Sequence, residues 1–258
     1  MPPDHDLPQV RRVSQHATLY AQVRQELLSD VAEERLGADY RYDLDLAQRR
    51  IELSSPRGSI ALEAQLLASI AVRPASILWG FAPLFADHVG QNPLAAELRR
   101  AGEHHGLDEL VRDEVAYAVE PGENPVDTVA EIAHWIGQMG VELFGADTLY
   151  YTYPTGGAGS RQVVLVRQGD LALPPVTLVD VFVRFPRLAS SLDDVGWALD
   201  GLCRLRQGWR FEQVPAASAQ QAFRVYDEHG AWFEAAVTRD EHQRITNISG
   251  NGVHQPGA

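Results

Sequence analysis

The chain has 258 residues, of which 45% are apolar, and a formal net charge of −13. This length suits one large domain or two of ordinary size, and the apolar share is enough to build a hydrophobic core. The acidic residues are spread evenly along the sequence, so the electrostatic field of the protein opposes binding to nucleic acid and to anionic lipid. No apolar run is long enough to span a bilayer, and we therefore expect no membrane association.

The amino terminus and the cysteine content both favour a cytoplasmic protein. Residues 1–6 have neither the basic start nor the apolar stretch of a secretory signal. Cys203 is the single cysteine, so no disulfide can form within the chain, and an oxidising compartment is not implied. We expect a soluble protein of the cytoplasm.

All 22 basic residues are arginine. Without lysine, the chain cannot have the phosphate-binding lysine of P-loop proteins, the strand lysine of protein kinases, a Schiff base or a Ser-x-x-Lys dyad. The G-x-S-x-G motif of serine hydrolases is also missing from the sequence. We expect no nucleotide or other cofactor. An acid–base enzyme is not excluded, because such enzymes need no motif.

The first half of the chain predicts a long helix and then an antiparallel sheet. A one-face apolar stripe predicts a helix over residues 12–36, with Gly37 at its carboxyl-terminal cap. Apolar and polar residues alternate after it, which is typical of sheet with one solvent-facing side, where Glu63, Gln65 and Ser69 would lie. The strands are predicted at residues 40–46, 49–53, 59–72 and 77–81.

Two helices that both open with Asn-Pro follow the sheet. Asn92 and Asn124 suit the N-cap position, and the prolines after them suit the first helical position. We predict that the first helix ends at Gly106 and the second near Gly140. A strand with three tyrosines, a glycine loop and a strand at 162–167 complete this half.

Pro174 and Pro175 separate a second, smaller half. Here the sequence predicts an extended segment at 176–182 and a helix at 191–205, which opens with Ser191 and Asp194 as a capping box. An antiparallel meander follows, with strands at 209–214, 222–226, 231–237 and 244–248.

The predicted fold class is α+β: an antiparallel sheet with flanking helices, followed by a smaller unit made of a helix and an antiparallel meander. We place the N-terminal domain at residues 1–170 and the C-terminal domain at residues 171–258. The tail from residue 249 is expected to be disordered.

Four segments of the first half resemble a bacterial family of unknown function that is common in actinobacteria. They are YDLDL at 42–46, SILWGFA at 76–82, EHHG at 103–106 and FGADTLY at 144–150. The resemblance covers residues 12–168. The chain departs from the family at its tryptophan strand, where Ile77 and Phe81 stand in place of two tryptophans. The resemblance implies no activity.

The C-terminal meander resembles the last strands of nuclear-transport-factor-2-like folds. Those folds often end in a strand, a tight turn and a segment like residues 244–248 of this chain. A small-molecule-binding protein, or an acid–base enzyme, with a pocket in this unit is therefore the alternative function.

Three histidine- or glycine-rich patterns do not predict a site. His104 and His105 are adjacent on a helix and point about 100° apart, so they cannot both bind one metal ion. The Asp-Glu-His triplets at 227–229 and 240–242 lie at opposite ends of a meander. The glycine loop at 156–159 precedes a strand and not a helix, which favours a hairpin over a phosphate loop. We expect no metal, and we expect Cys203 to be buried and structural.

The candidate binding residues are Trp79, Tyr150, Tyr153 and Arg161. Tyr151 and Tyr153 share one face of their strand and Tyr150 lies on the other, so one face shows aromatic rings unless a helix covers it. Aromatic side chains beside arginine are typical of surfaces that recognise proteins. The leading interpretation is a non-enzymatic module that binds another protein.

Overall fold

The structure is a computed structural model that describes residues 5–86, 92–156, 158–167, 171–216, 220–242 and 245–255. The α+β class predicted from the sequence is confirmed. The helices are α1 (Pro8–Leu36), α2 (Pro93–His105), α3 (Pro125–Phe144), α4 (Leu178–Ala189) and α5 (Val195–Leu205), with short 3₁₀ helices at Pro83–Phe85 and Asp108–Leu110. The strands are β1 (Arg41–Asp45), β2 (Arg50–Ser55), β3 (Gly58–Ala71), β4 (Ser76–Trp79), β5 (Glu114–Ala116), β6 (Thr148–Thr155), β7 (Ser160–Arg167), β8 (Arg210–Val214), β9 (Gln220–Tyr226), β10 (Trp232–Arg239) and β11 (Ile245–His254).

The chain divides into two units, each with its own sheet. The seven-stranded unit contains Gln25–Leu173 and the start of α1 up to Ser14. The four-stranded unit contains the residues from Pro174 onward together with Gln15–Arg24 of α1. The glycine and aspartate expected at the boundary, residues 169 and 170, lie outside the described residues. That the halves 1–170 and 171–258 are independent domains stays a prediction.

The long strand β3 organises the seven-stranded sheet. It pairs with β2 along its first half, with β4 along its last residues, and with β7 on the other edge. Beyond these neighbours, β1 pairs with β2, β5 with β4 and β6 with β7, and every pairing is antiparallel. The register against β7 shifts between Leu66 and Ala68, which places a bulge in the middle of β3. The strands predicted in this half are confirmed to within a few residues.

Helices cover both faces of this sheet, so the prediction of one solvent-facing side is wrong for the middle of β3. One face packs on α1 through a cluster of buried residues that includes Leu28, Leu66 and Val164. On the other face, Gln65 is buried and its Oε1 accepts a hydrogen bond from the backbone N–H of Leu94 in α2. The sequence predicted both the alternation of β3 and the helices that follow the sheet, but not that these helices cover the polar face of β3.

The helix ends follow the predicted capping chemistry. Asn92 accepts from the backbone N–H of Ala95, and Asn124 accepts from that of Val126. Gly106 ends α2 in the left-handed conformation, as expected for a cap glycine. The helix α3 runs on to Phe144, past its predicted end near Gly140.

The four strands of the second unit form the predicted meander, in the order β11-β10-β9-β8. The extended segment predicted at 176–182 is wrong, because α4 begins at Leu178. Thr177 and Asp180 form a reciprocal capping box there, and this local signal outweighs the β-branched residues around it. The helix predicted from Ser191 begins at Val195, with Asp194 as its N-cap.

The expectation of a disordered tail is wrong for residues 249–254, which belong to β11. The edge of β10 holds them: Ser249 lies opposite Ala236, and His254 lies opposite Trp232. The ring of His254 also stacks on that of Trp232 with centroids 4.1 Å apart. Backbone pairing therefore orders a segment whose small and polar residues predicted disorder.

Within the part of the chain that the structure describes, no helix combines the length and the apolar character needed to cross a membrane.

Candidate functional site

The structure buries two of the four candidate binding residues. Trp79 is 0% exposed, and its Nε1 donates to the carbonyl oxygen of Glu109 at 2.8 Å. Tyr150 is 1% exposed. Neither side chain can contact a partner, so for these two residues the expected role is wrong. The strand periodicity separated Tyr150 from Tyr153 correctly, but it could not tell which of the two faces a helix covers at that point.

Tyr150 forms a hydrogen-bonded pair with His134 of α3. The ring of Tyr150 lies against Gly137, and its hydroxyl is 3.1 Å from His134 Nδ1. Burial raises the pKa of the Tyr150 phenol, which therefore stays protonated. Burial, and then the positive charge of Arg161, lower the pKa of His134. The imidazole is thus neutral near pH 7, and the ring nitrogen that carries its proton decides which of the two groups donates this hydrogen bond.

Arg161 and Tyr153, the other two candidates, lie on opposite faces of the β6–β7 hairpin. Arg161 is paired with Pro154, and its Nη1 donates to Thr152 Oγ1 at 3.3 Å. Tyr153 is paired with Gln162 and points to the other side of the sheet. The hairpin connection predicted around the glycine loop is confirmed by the pairing of Thr155 with Ser160. The two candidates do not form one surface.

Tyr153 instead belongs to a group of four tyrosines that we call the tyrosine cluster: Tyr40, Tyr42, Tyr151 and Tyr153. The ring centroid of Tyr42, on β1, is 5.4 Å from that of Tyr151 and 5.7 Å from that of Tyr153. Tyr40 lies close enough to Tyr151 to raise the pKa of its phenol. The protein has eight tyrosines. Half of them therefore meet at one place.

The tyrosine cluster is partly exposed and rests on a buried apolar base. Tyr42 is 37% exposed, and the other three rings are half-buried. Beneath them lie Ala32 and Leu36 from the last turns of α1, together with Leu53 of β2. Burial raises the pKa of the Tyr151 phenol, with a smaller effect of Tyr40 in the same direction. The result is an aromatic surface on rigid elements.

Sequence reasoning missed Tyr40 and Tyr42. They come from the start of the sheet and the other two tyrosines from β6, about a hundred residues later. No local pattern predicts that β1 and β6 approach each other. The available signal was the alternation of β1, which places Tyr42 on the same face as Leu44, toward the apolar interior.

The four-stranded unit contains a second candidate site, which consists of a histidine–aspartate pair and a cysteine. His16 is 5% exposed, its Nε2 is 3.0 Å from Asp200 Oδ2, and its ring lies tilted against that of Trp197 with centroids 4.0 Å apart. Cys203 lies nearby on α5 and is partly buried. Burial, and then the charge of Asp200, raise the pKa of Cys203 to about 12. The thiol is therefore protonated at neutral pH and a poor nucleophile.

The outer face of the four-stranded sheet carries a row of stacked side chains. Arg210, Tyr226, Trp232 and His254 lie directly opposite one another across all four strands. The guanidinium of Arg210 lies 3.6 Å from the centroid of Tyr226, and that of Arg224 lies 4.4 Å from the centroid of Trp232. Arginine side chains of the same chain thus lie over the rings of Tyr226 and Trp232 in this row.

The histidine patterns have local explanations. Asp227 accepts hydrogen bonds from the backbone N–H groups of His229 and Ala231, as in an ordinary polar turn. His104 and His105 are both exposed at the end of α2. Among the described residues, no group of three or more His, Cys, Asp or Glu side chains is arranged to hold a metal ion.

Comparison with known proteins gives one match. The model of the Family of unknown function (DUF6882) matches residues 11–168, which contain most of the seven-stranded unit and the whole tyrosine cluster. No curated protein and no solved structure matches the chain. The likeness of the meander to nuclear-transport-factor-2-like folds stays a prediction. Because the matched residues make up more than half of the chain, the protein belongs to the DUF6882 family.

Proposed function

We propose that the seven-stranded unit is a non-enzymatic protein-binding module of the cytoplasm and that the tyrosine cluster contacts its partner. The observation that carries this proposal is the meeting of four partly exposed tyrosines, two from residues 40–42 at the start of the sheet and two from β6, on a buried apolar base.

Tyrosine suits this role for energetic reasons. It offers a large contact area with only two rotatable side-chain bonds, so ordering it on binding costs little. In the tyrosine cluster the rings already restrain one another, because Tyr42 contacts both Tyr151 and Tyr153. Their hydroxyl groups remain able to form hydrogen bonds at the rim of an interface.

A second candidate function is an acid–base enzyme or small-molecule-binding protein that uses the four-stranded unit. It rests on the His16–Asp200 pair, in which a carboxylate can orient an imidazole for proton transfer. The imidazole is 5% exposed, whereas Tyr42 is 37% exposed. A partner reaches the tyrosine cluster more easily, and we therefore place the enzymatic role second.

The test uses affinity capture from the native lysate with wild-type protein and three variants. We expect Tyr42→Ser and Tyr153→Ser to lose a partner that the wild type retains, because both remove exposed aromatic area from the tyrosine cluster. Tyr226→Ser is the matched control, since it removes a half-buried tyrosine from the other sheet. Quantitative mass spectrometry measures the retained proteins, and thermal unfolding checks that each variant is folded.

The result that contradicts the proposal is equal retention by the wild type and by both cluster variants. A partner lost only in Tyr226→Ser would point to the four-stranded sheet instead.

A further inference from the structure

The seven-stranded sheet ends in three strands, and two of these edges are short or covered. The strand β5 has only three residues. At β6, the side-chain amide of Gln25 takes the place of a neighbouring strand: its Nε2 donates to the carbonyl of Tyr150 at 2.6 Å, and its Oε1 accepts from the N–H of Tyr150 at 3.3 Å. An unpaired edge is a template for another strand, and the edges at β5 and β6 have few backbone groups with which a further strand could pair.

The third edge, β1, has five residues and is exposed at its start. It pairs with β2 on one side, from Arg41 opposite Ser54 to Asp45 opposite Arg50. Among the described residues, its backbone forms no hydrogen bond on the other side. Arg41, Tyr42 and Asp43 are all exposed. The backbone N–H and C=O groups of this edge are available to an extended segment.

The charges on β1 select the kind of segment. Asp43 lies opposite Glu52 of β2, and the carboxylate of Glu52 already accepts from Arg50 at 2.9 Å. Among the described residues Asp43 forms no ion pair of its own. A strand added to β1 would place a residue directly beside Asp43, and opposite charges at such positions stabilise a sheet. That residue is best an arginine or a lysine.

The other face of β1 favours apolar residues in the added strand. Tyr42 points toward the tyrosine cluster and Leu44 toward the apolar interior. Residues of the added strand next to these two would contact aromatic and aliphatic surface. On the polar face of β1 the acidic Asp43 and Asp45 outnumber Arg41, so we expect basic and apolar residues to alternate in the added segment.

We propose that β1 binds an extended segment of a partner protein, in which basic and apolar residues alternate, by adding it to the sheet as a further strand. This inference rests on the proposed function, because it specifies how the partner engages the surface that contains the tyrosine cluster. The overall charge of −13 draws a basic segment toward the protein.

The experiment titrates the full chain with a fluorescent hexapeptide of alternating arginine and valine, followed by anisotropy. Two peptides serve as controls: one with glutamate in place of arginine, and one of the same sequence with alternate backbone amides N-methylated. We expect the arginine–valine peptide to bind and both controls to lose measurable binding, since one lacks the charge and the other the strand hydrogen bonds.

Two pairs of protein variants refine the test. We expect Asp43→Asn to weaken binding about two- to fivefold and Asp43→Arg roughly tenfold, in line with cross-strand charge pairs. Glu120→Gln and Glu120→Arg change the net charge equally at an exposed turn away from β1, and should leave the affinity nearly unchanged.

Three results overturn the inference: no binding of the arginine–valine peptide, equal binding of the N-methylated peptide, or an equal loss in the Glu120 variants. None of these results affects the proposed function, which fails only if the tyrosine variants retain the partner captured by the wild type.

Discussion

Gly137 of α3 lies against the ring of Tyr150, and a methyl group at Gly137 would overlap that ring. Glycine is otherwise a poor choice inside a helix, where alanine is favoured by about 1 kcal/mol. Its presence here follows from the packing of α3 on β6, since only a side chain of one hydrogen allows the buried phenol to fit. The same contact places Tyr150 OH near His134.

We predict that Gly137→Ala lowers the free energy of unfolding by about 1–3 kcal/mol, because the overpacking of Tyr150 outweighs the better helix propensity. Urea unfolding measures the change. Gly196→Ala, in the first turn of α5, is the matched control: its added methyl group meets only side chains, and we expect a change within about 0.5 kcal/mol. A neutral Gly137→Ala would mean that α3 is not packed on Tyr150 as described.

Tyr150→Ala and Tyr153→Ala should differ sharply in stability. Tyr150 is fully buried, and truncating a buried aromatic side chain costs about 3–5 kcal/mol. Tyr153 is half-buried at the surface, and its truncation should cost about 1 kcal/mol or less. Chemical denaturation of the two variants under identical conditions measures both. Similar losses in the two variants would show that Tyr153 belongs to the core and not to a binding surface.

Local signals in the sequence predicted local structure well. The Asn-Pro pairs located the starts of α2 and α3, and Gly106 located the end of α2, because each acts through hydrogen bonds or backbone angles within one turn. The helix α4 shows the limit of this reasoning. Its capping box of Thr177 and Asp180 was present in the sequence, but the β-branched residues beside it favoured a strand.

The binding surface depended on contacts between distant segments and could not be read in the same way. Tyr42 and Tyr151 meet only because the sheet brings β1 and β6 together. Whether Tyr150 or Tyr153 is exposed depends on where α3 packs, and the strand period is the same in both cases. Residues 249–254 likewise form a strand because they pair with β10, and not because of their own strand propensities.

The edge contact of Gln25 predicts a further loss of stability. Its amide supplies both a donor and an acceptor to the backbone of Tyr150. Gln25→Leu would leave a buried N–H and a buried C=O without partners, and each such group costs about 1–3 kcal/mol. Gln25→Glu keeps the acceptor, but at pH 8 it places a carboxylate oxygen against the Tyr150 carbonyl, so we expect it to destabilise the protein as well. Equal stability of Gln25→Leu and the wild type would contradict the role of this side chain at the edge.

His134 should make the stability depend on pH in the acidic range. Its pKa in the folded protein is lower than the ordinary value of 6.5, so the unfolded chain binds a proton more readily than the folded one. The contribution of the neutral imidazole is therefore fully present above about pH 6.5 and is lost as the pH falls through the folded pKa.

We expect His134→Gln to flatten this part of the pH dependence, measured as urea midpoints between pH 7.5 and pH 5. His104→Gln, which removes an imidazole at the end of α2, is the comparison variant. An unchanged slope in His134→Gln would show that another group produces the acid sensitivity.

Cys203 should react slowly in the folded protein. Burial, and then the charge of Asp200, raise its pKa to about 12, so very little thiolate exists at pH 8. Because the thiolate is the reactive species, we expect the reaction with Ellman's reagent to be at least about a hundredfold slower in the native state than in guanidinium chloride. Asp200→Asn removes the smaller of the two causes and should accelerate the native reaction only modestly. If the native thiol reacts as fast as the unfolded one, Cys203 is an accessible and activated thiol. That result would favour the enzymatic role of the four-stranded unit.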